Sequence, residues 1–262
     1  MATPLLECRG MTKVFGGLQA LSDCSLAIQE GELLGLIGPN GAGKTTAFNL
    51  LTGVLKPSAG RILAGGVEVT GAAPETFARH GIARTFQNAR LFPELSVLEN
   101  VMTGLHLRHS ASLLQTVLGL PAFRRAEAVI AERAAALLET LGLSALTSSR
   151  AGDLAYGDQR RVEIARALAL EPRVLLLDEP AAGLNPRESE ELVTLLRRIN
   201  GEMSVAVLLV EHDMPLVMGL CRRIQVLNRG EFLAEGAPEE IQDDPAVVEA
   251  YLGRRRAPRA DA

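Results

Sequence analysis

No stretch of this 262-residue sequence approaches the roughly 20 consecutive apolar residues that a membrane-spanning helix needs. Its longer apolar runs, "VAVLLV" and "RVLLLD", are short, which suits buried parallel strands bounded by turns. The chain is therefore expected to be soluble by itself, and any work at a membrane requires a partner to supply the spanning part. Cysteine is scarce: Cys8, Cys24 and Cys221 are scattered, with no CxxC pair and no zinc-ligand spacing. With no secretory leader ahead of them, they are expected to be buried thiols in a reducing cytosol. There is no excess of positive charge either, since 27 basic residues face 31 acidic ones for a net charge of -4. That balance argues against a nucleic-acid coat and against bulk-charge attachment to an anionic membrane. No internal repeat is visible. What the chain does have is 47% hydrophobic residues, enough for one large globular domain or a core with a smaller lobe.

The N-terminal stretch through "GELLGLIG" reads as short strands, the last entering a Gly-rich loop and then the helical pattern "KTTAFNLLTGVL". "GRILAGGVEVTG" reads as a small hairpin, and "ETFARHGIARTFQ" as a short helix followed by a strand. From "LSVLENVMTGLHLR" to "LETLGL" the composition changes to Ala, Leu, Glu and Arg with helical periodicity. The βαβ alternation then returns with "RVLLLDEP", "SVAVLLVEHD" and "RRIQVLNRG". The expected organisation is one domain over 1–262: an α/β core from 1–92 and 172–253, a helical subdomain at 93–171, and a mobile polar tail at 254–262.

"GPNGAGKTT" (Gly38, Pro39, Asn40, Gly41, Ala42, Gly43, Lys44, Thr45, Thr46) fits the G-x-x-x-x-G-K-[ST] phosphate loop, in its required place between an apolar strand and a helix. The glycines let successive amides turn inward, forming an anion nest reinforced by the positive end of the following helix. Lys44 is one of only three lysines in the sequence, and here it would neutralise the β and γ phosphates of ATP. Thr45 would place its hydroxyl on Mg²⁺. "RVLLLDEP" ends an apolar strand with two adjacent acids, whose side chains alternate across a strand and so are expected to take separate roles. Asp178 is assigned to the metal and Glu179 to positioning and deprotonating the attacking water. "VAVLLVEHDM" brings His212 to the C-terminal end of another strand, the edge where α/β sheets bind ligands.

With "ARTFQ", "LAYGDQRRVEIARAL", "AGLNP" and "EHD" following the phosphate loop in order, the chain resembles the nucleotide-binding subunits of ABC transporters over essentially its whole length. The resemblance implies a P-loop NTPase α/β core with an N-terminal antiparallel β region and an inserted α-helical subdomain. It implies that Phe15 stacks on adenine, that Gln87 touches Mg²⁺ and senses the membrane partner, and that His212 is the switch histidine at the γ-phosphate. Leu154, Ala155, Tyr156, Gly157 and Asp158 match the signature, usually LSGGQ, which acts on the ATP of the partner subunit. Gly183, Leu184 and Asn185 match the loop that crosses the dimer interface. Ala155 stands where serine is usual, Asp158 where glutamine is, and Asn185 where aspartate is more frequent. So close to a phosphate, Asp158 is expected to turn its carboxylate away, with Arg160 and Arg161 as counter-charges or helix supports.

A narrower match runs through "RTFQNARLFPELSVLENV", the insert with "FRRAE", "DEPAAGLNP" and the ending "DPAVVEAYLG", which look like the LivG-type ATPases of branched-chain amino-acid importers. ATPases for urea or short amides share much of this pattern. The resemblance implies a peripheral ATPase on the cytoplasmic face of the inner membrane. Its implied partners are a second, related ATP-binding subunit, two membrane-spanning permease subunits and, indirectly, a solute-binding protein. "FQNARLFPELSVLENV" and the insert would form the docking surface for the membrane helices. A soluble ABC ATPase acting on nucleic acid would call for zinc-spaced cysteines or a broad basic face, and only the "RRRAPR" tail points that way.

Overall fold

The computed structural model describes residues 3–85, 91–109 and 121–252. The chain divides into two compact units, one formed by residues 1–77 and 206–262 and the other by residues 78–205.

The first unit opens with a long antiparallel hairpin, β1 (Leu6–Phe15) against β2 (Leu18–Ile28). Strand β1 also pairs antiparallel with β4 (Ala59–Ala64), and β4 pairs with the short β5 (Val67–Glu68). Leu6, Cys8 and Met11 of β1 are buried while Arg9 is exposed, as a sheet with one covered face requires. Strand β3 (Leu33–Ile37) lies parallel to both β8 (Ala206–Val210) and β9 (Arg223–Asn228). Strand β10 (Glu231–Gly236) returns antiparallel to β9. Every residue of β3 and β8 is buried, so these runs have no polar face, which is the pattern of parallel strands covered on both sides. Helix α1 (Lys44–Leu51) follows β3, α2 (Pro74–Arg79) crosses the boundary between units, and α7 (Met214–Leu220), α8 (Pro238–Asp243) and α9 (Pro245–Leu252) complete the C-terminal part. The three cysteines are free and buried, and burial pushes the Cys8 and Cys221 thiols up to about 12.

In the second unit β6 (Ile82–Arg84) pairs parallel with β7 (Val174–Asp178). Among the described residues four α-helices accompany them: α3 (Val97–His109), α4 (Pro121–Thr140), α5 (Tyr156–Leu168) and α6 (Pro186–Met203). Their apolar residues recur at helical spacing and are buried, as with Val97, Val101 and Leu105 on α3 and Ile130, Ala134 and Leu138 on α4. The expected helical segment 93–171 lies inside this unit, which also takes in β6, β7 and α6. Ser96 starts α3 with a capping box: its amide donates to Glu99 Oε2 at 2.7 Å, and the Glu99 amide donates to Ser96 Oγ at 3.2 Å. The buried Asn100 then ties the incoming loop to the helix, accepting from the Phe92 amide at 2.8 Å and donating to the Phe92 carbonyl at 3.0 Å.

Helices α3 and α5 cross closely at Gly104, where a Cβ would sit 2.5 Å from the Arg166 carbonyl oxygen and 2.8 Å from Ala169 Cβ. Both neighbours belong to or adjoin a buried helix and have little room to move, so Gly104→Ala is expected to cost about 1–3 kcal/mol of stability. Gly201 on α6 has nothing within 4 Å, and Gly201→Ala should instead add about 0.5–1 kcal/mol through helix propensity. Urea unfolding of the two variants should therefore shift in opposite directions. A Gly104→Ala chain as stable as the parent would disprove the close crossing.

Candidate nucleotide site

The phosphate loop connects β3 to α1, and its shape follows from three glycines with positive φ: Gly38 at 154°, Gly41 at 78° and Gly43 at 105°. A Cβ on Gly38 would lie 2.0 Å from the Leu227 carbonyl oxygen, and one on Gly43 would lie 2.7 Å from the Ala20 carbonyl oxygen. Backbone from β9 and β2 thus presses against the loop from outside. The Ala42 carbonyl accepts from the Gly230 amide at 2.9 Å, and the Ala42 amide donates to the Pro39 carbonyl at 3.1 Å, which fixes the curl. Gly43 caps α1, so the orphan amides of the first helical turn open toward the loop. Lys44 is largely buried, and its Nζ donates to the carbonyls of Gly38 at 2.6 Å and Pro39 at 3.1 Å. Asn40, Gly41 and Thr45 are exposed on the open side, with Pro39 and Thr46 half-buried. A cation folded over a curled backbone beside exposed amides fits a polyphosphate.

Two other expected residues belong to the same unit. Phe15 ends β1 at the tip of the hairpin, 43% exposed, with Lys13 Nζ 4.9 Å from its ring centroid. An aromatic left in the open on the hairpin whose β2 abuts Gly43 is available as a stacking surface. His212 stands two residues past the end of β8, with its side chain 59% exposed and its amide donating to Glu211 Oε2 at 3.2 Å. The carboxylate of Glu211 is fully buried beneath it. Asp213 then caps α7 through the Leu216 amide at 3.1 Å.

The second unit carries the acids. Asp178 is the last residue of β7 and is buried, whereas Glu179 is half-buried and adopts φ 46°. Left-handed backbone in a non-glycine residue costs of order 1–3 kcal/mol and recurs at functional sites. It also corrects the reasoning from strand alternation: the strand stops at Asp178, and a turn rather than a pleat separates the two carboxylates. The turn continues with the Ala182 amide donating to the Glu179 carbonyl at 3.1 Å and the Leu184 amide to the Ala181 carbonyl at 3.1 Å, and Gly183 at φ 81°. Asn185 ends the loop as the N-cap of α6, accepting from the Glu188 amide at 3.0 Å while its own amide donates to Glu188 Oε2 at 2.9 Å. Asparagine and aspartate are equivalent for this capping, so an aspartate is not needed to hold the loop. Gln87 lies outside the described residues, as do the tail residues 254–262.

The sequence profile of the ABC transporter family matches residues 21–182. The chain belongs to this family. A second profile, that of the branched-chain amino acid ATP-binding cassette transporters, matches residues 233–257. Among curated proteins the chain is similar to the high-affinity branched-chain amino acid transport ATP-binding protein BraF of Pseudomonas aeruginosa, 47% identical over 97% of this chain and 99% of the relative. It is 48% identical over the same shares to its counterpart LivG of Salmonella typhimurium. Among solved structures, an ABC transporter cassette in its ADP conformation aligns with a TM-score of 0.83 at 32% identity, covering 95% of this chain and 99% of that one. The chain is thus an ABC ATPase and binds nucleotide.

In this ABC cassette the residues matched above to the signature stand at the start of α5. Leu154 and Ala155 are extended, Ala155 caps the helix without a side-chain bond, and Tyr156 begins it. Asp158 Oδ1 accepts from Arg161 Nη1 at 3.3 Å, and Arg161 also lies 3.6 Å from Glu191. The two arginines therefore divide the roles foreseen for them. Arg161 is the counter-charge of Asp158, and Arg160, 2% exposed, is a buried helix support paired with Glu163 at 3.0 Å. Gly157 is explained by something the sequence did not suggest, because a Cβ there would lie 2.9 Å from the Glu188 carboxyl group. Its missing side chain makes room for the capping box of α6.

Proposed function

We propose that this ABC ATPase energises the import of branched-chain amino acids from the cytoplasmic face of the cell membrane. It would work there as a peripheral subunit beside a second, related ATP-binding chain and two membrane-spanning permease subunits, with a solute-binding protein delivering the solute. The observation that carries this reading is the likeness along nearly the full chain to BraF and LivG, reinforced by the separate C-terminal match. Among the described residues no helix is long and apolar enough to cross a membrane, which fits a chain that depends on permeases for the spanning part.

In the proposed mechanism the loop amides and Lys44 hold the β and γ phosphates, and Phe15 stacks on the adenine. Magnesium, held by Thr45, Asp178 and Gln87, would draw charge from the β and γ oxygens. Glu179 takes a proton from the attacking water, and His212 holds the γ-phosphate at the end of β8. The signature residues Leu154, Ala155, Tyr156, Gly157 and Asp158 and the loop Gly183, Leu184 and Asn185 act on the nucleotide of the partner ATPase, so that closure of the pair drives the permeases. The complex co-purified in mild detergent and returned to ATP-filled vesicles tests this. Uptake of leucine, isoleucine and valine with coupled ATP hydrolysis is expected. Uptake of urea or a short amide in place of these would replace the solute assignment.

A further inference from the structure

The signature turn and the interface loop touch within this chain, and an aromatic ring makes one of the contacts. A Cβ on Gly183 would lie 3.3 Å from Tyr156 Cε1 and 3.9 Å from Cδ1 and Cζ, so the ring covers the glycine at the crest of the loop. The ring also receives the Arg160 guanidinium, 5.5 Å from the centroid, and that arginine is anchored in the interior by Glu163. Two polar ties run alongside. Gly157 abuts Glu188, which closes the capping box with Asn185, and Asp158 reaches Glu191 through Arg161.

We infer that Tyr156 is a positioning residue, which through its ring clamps the interface loop at Gly183 to the signature turn so that both present to the partner subunit as one body. The inference rests on the proposed reading of the signature and adds to it a coupling inside one chain. The atoms nearest Gly183 are ring carbons, and the guanidinium lies over the ring, so the ring is the working element. Tyr156 is 42% exposed, and its removal leaves the buried core of α5 intact.

The test uses the full chain as Tyr156→Ala and Tyr156→Phe, each made with and without Glu179→Gln. In Tyr156→Ala, amide exchange at Ala182 and Leu184 should rise about tenfold, because the loop loses its cover. ATP-driven association with the related ATP-binding subunit, in the Glu179→Gln background, should weaken by about tenfold, while binding of a fluorescent ATP analogue to this chain alone stays unchanged. Tyr156→Phe should restore both readouts. Unchanged exchange in Tyr156→Ala, or an equal defect in Tyr156→Phe, overturns the inference. If Glu179→Gln with Tyr156 intact fails to associate on ATP with the related ATP-binding subunit, the partner reading fails, and the exchange experiment still decides the coupling.

Discussion

Glu179→Gln is expected to bind ATP as the parent does and to hydrolyse it about 10²–10⁴-fold more slowly, the range that a positioned general base contributes. The substitution keeps the side chain's shape and leaves the backbone bond from Ala182 to the Glu179 carbonyl, 3.1 Å, in place. It removes the negative charge and with it the ability to accept a proton. The phosphate loop, with its nest and its lysine, is built from β3, α1 and the backbone of β2 and β9, and the change leaves that sequence as it is. Binding and chemistry should therefore separate cleanly. Nucleotide titration against single-turnover release of phosphate measures the two, and with the related ATP-binding subunit the arrested chain should accumulate as an ATP-held dimer. Turnover within about threefold of the parent would show that another group takes the proton.

The parts of the site that the sequence disclosed are those whose chemistry is local. The phosphate loop is readable because the conformations it needs fall at glycines a few residues apart, followed by a lysine at the helix start. Strands β3 and β8 are readable because a fully buried parallel strand leaves no polar side chain in its run of five, and β7 because four apolar residues lead up to Asp178. The Asp158–Arg161 pair is an i,i+3 helical spacing and was foreseeable as such. What stayed hidden depends on contacts between distant segments. Nothing in "LAYGD" tells that Gly157 faces Glu188, because that follows from how α6 starts beside α5. Glu179's left-handed backbone was hidden for another reason: the alternation argument carries the strand on through Glu179, and the turn that follows Asp178 overrides it.

The phosphate loop itself supplies the other large effect. Gly38→Ala should lose nucleotide binding by about 10²–10³-fold, whereas Gly41→Ala should lose only about tenfold. Both glycines have positive φ, so alanine at either is strained by roughly 1–2 kcal/mol. They differ in what surrounds them. Around Gly41 nothing lies within 4 Å, so strain is the whole cost. At Gly38 the added carbon would lie 2.0 Å from the Leu227 oxygen and 3.1 Å from its carbonyl carbon. That carbonyl belongs to β9, which pairs with β3 through Ile37 and Val226, so it cannot retreat without breaking the strand pairing that holds the loop's own base. Overpacking against fixed backbone adds about 1–3 kcal/mol, and the loop relieves it by swinging out of the shape in which Lys44 reaches the Gly38 and Pro39 carbonyls. Titration with a fluorescent nucleotide distinguishes the two variants. Equal losses at Gly38 and Gly41 would mean that conformational freedom alone, and not the support of β9, shapes the nest.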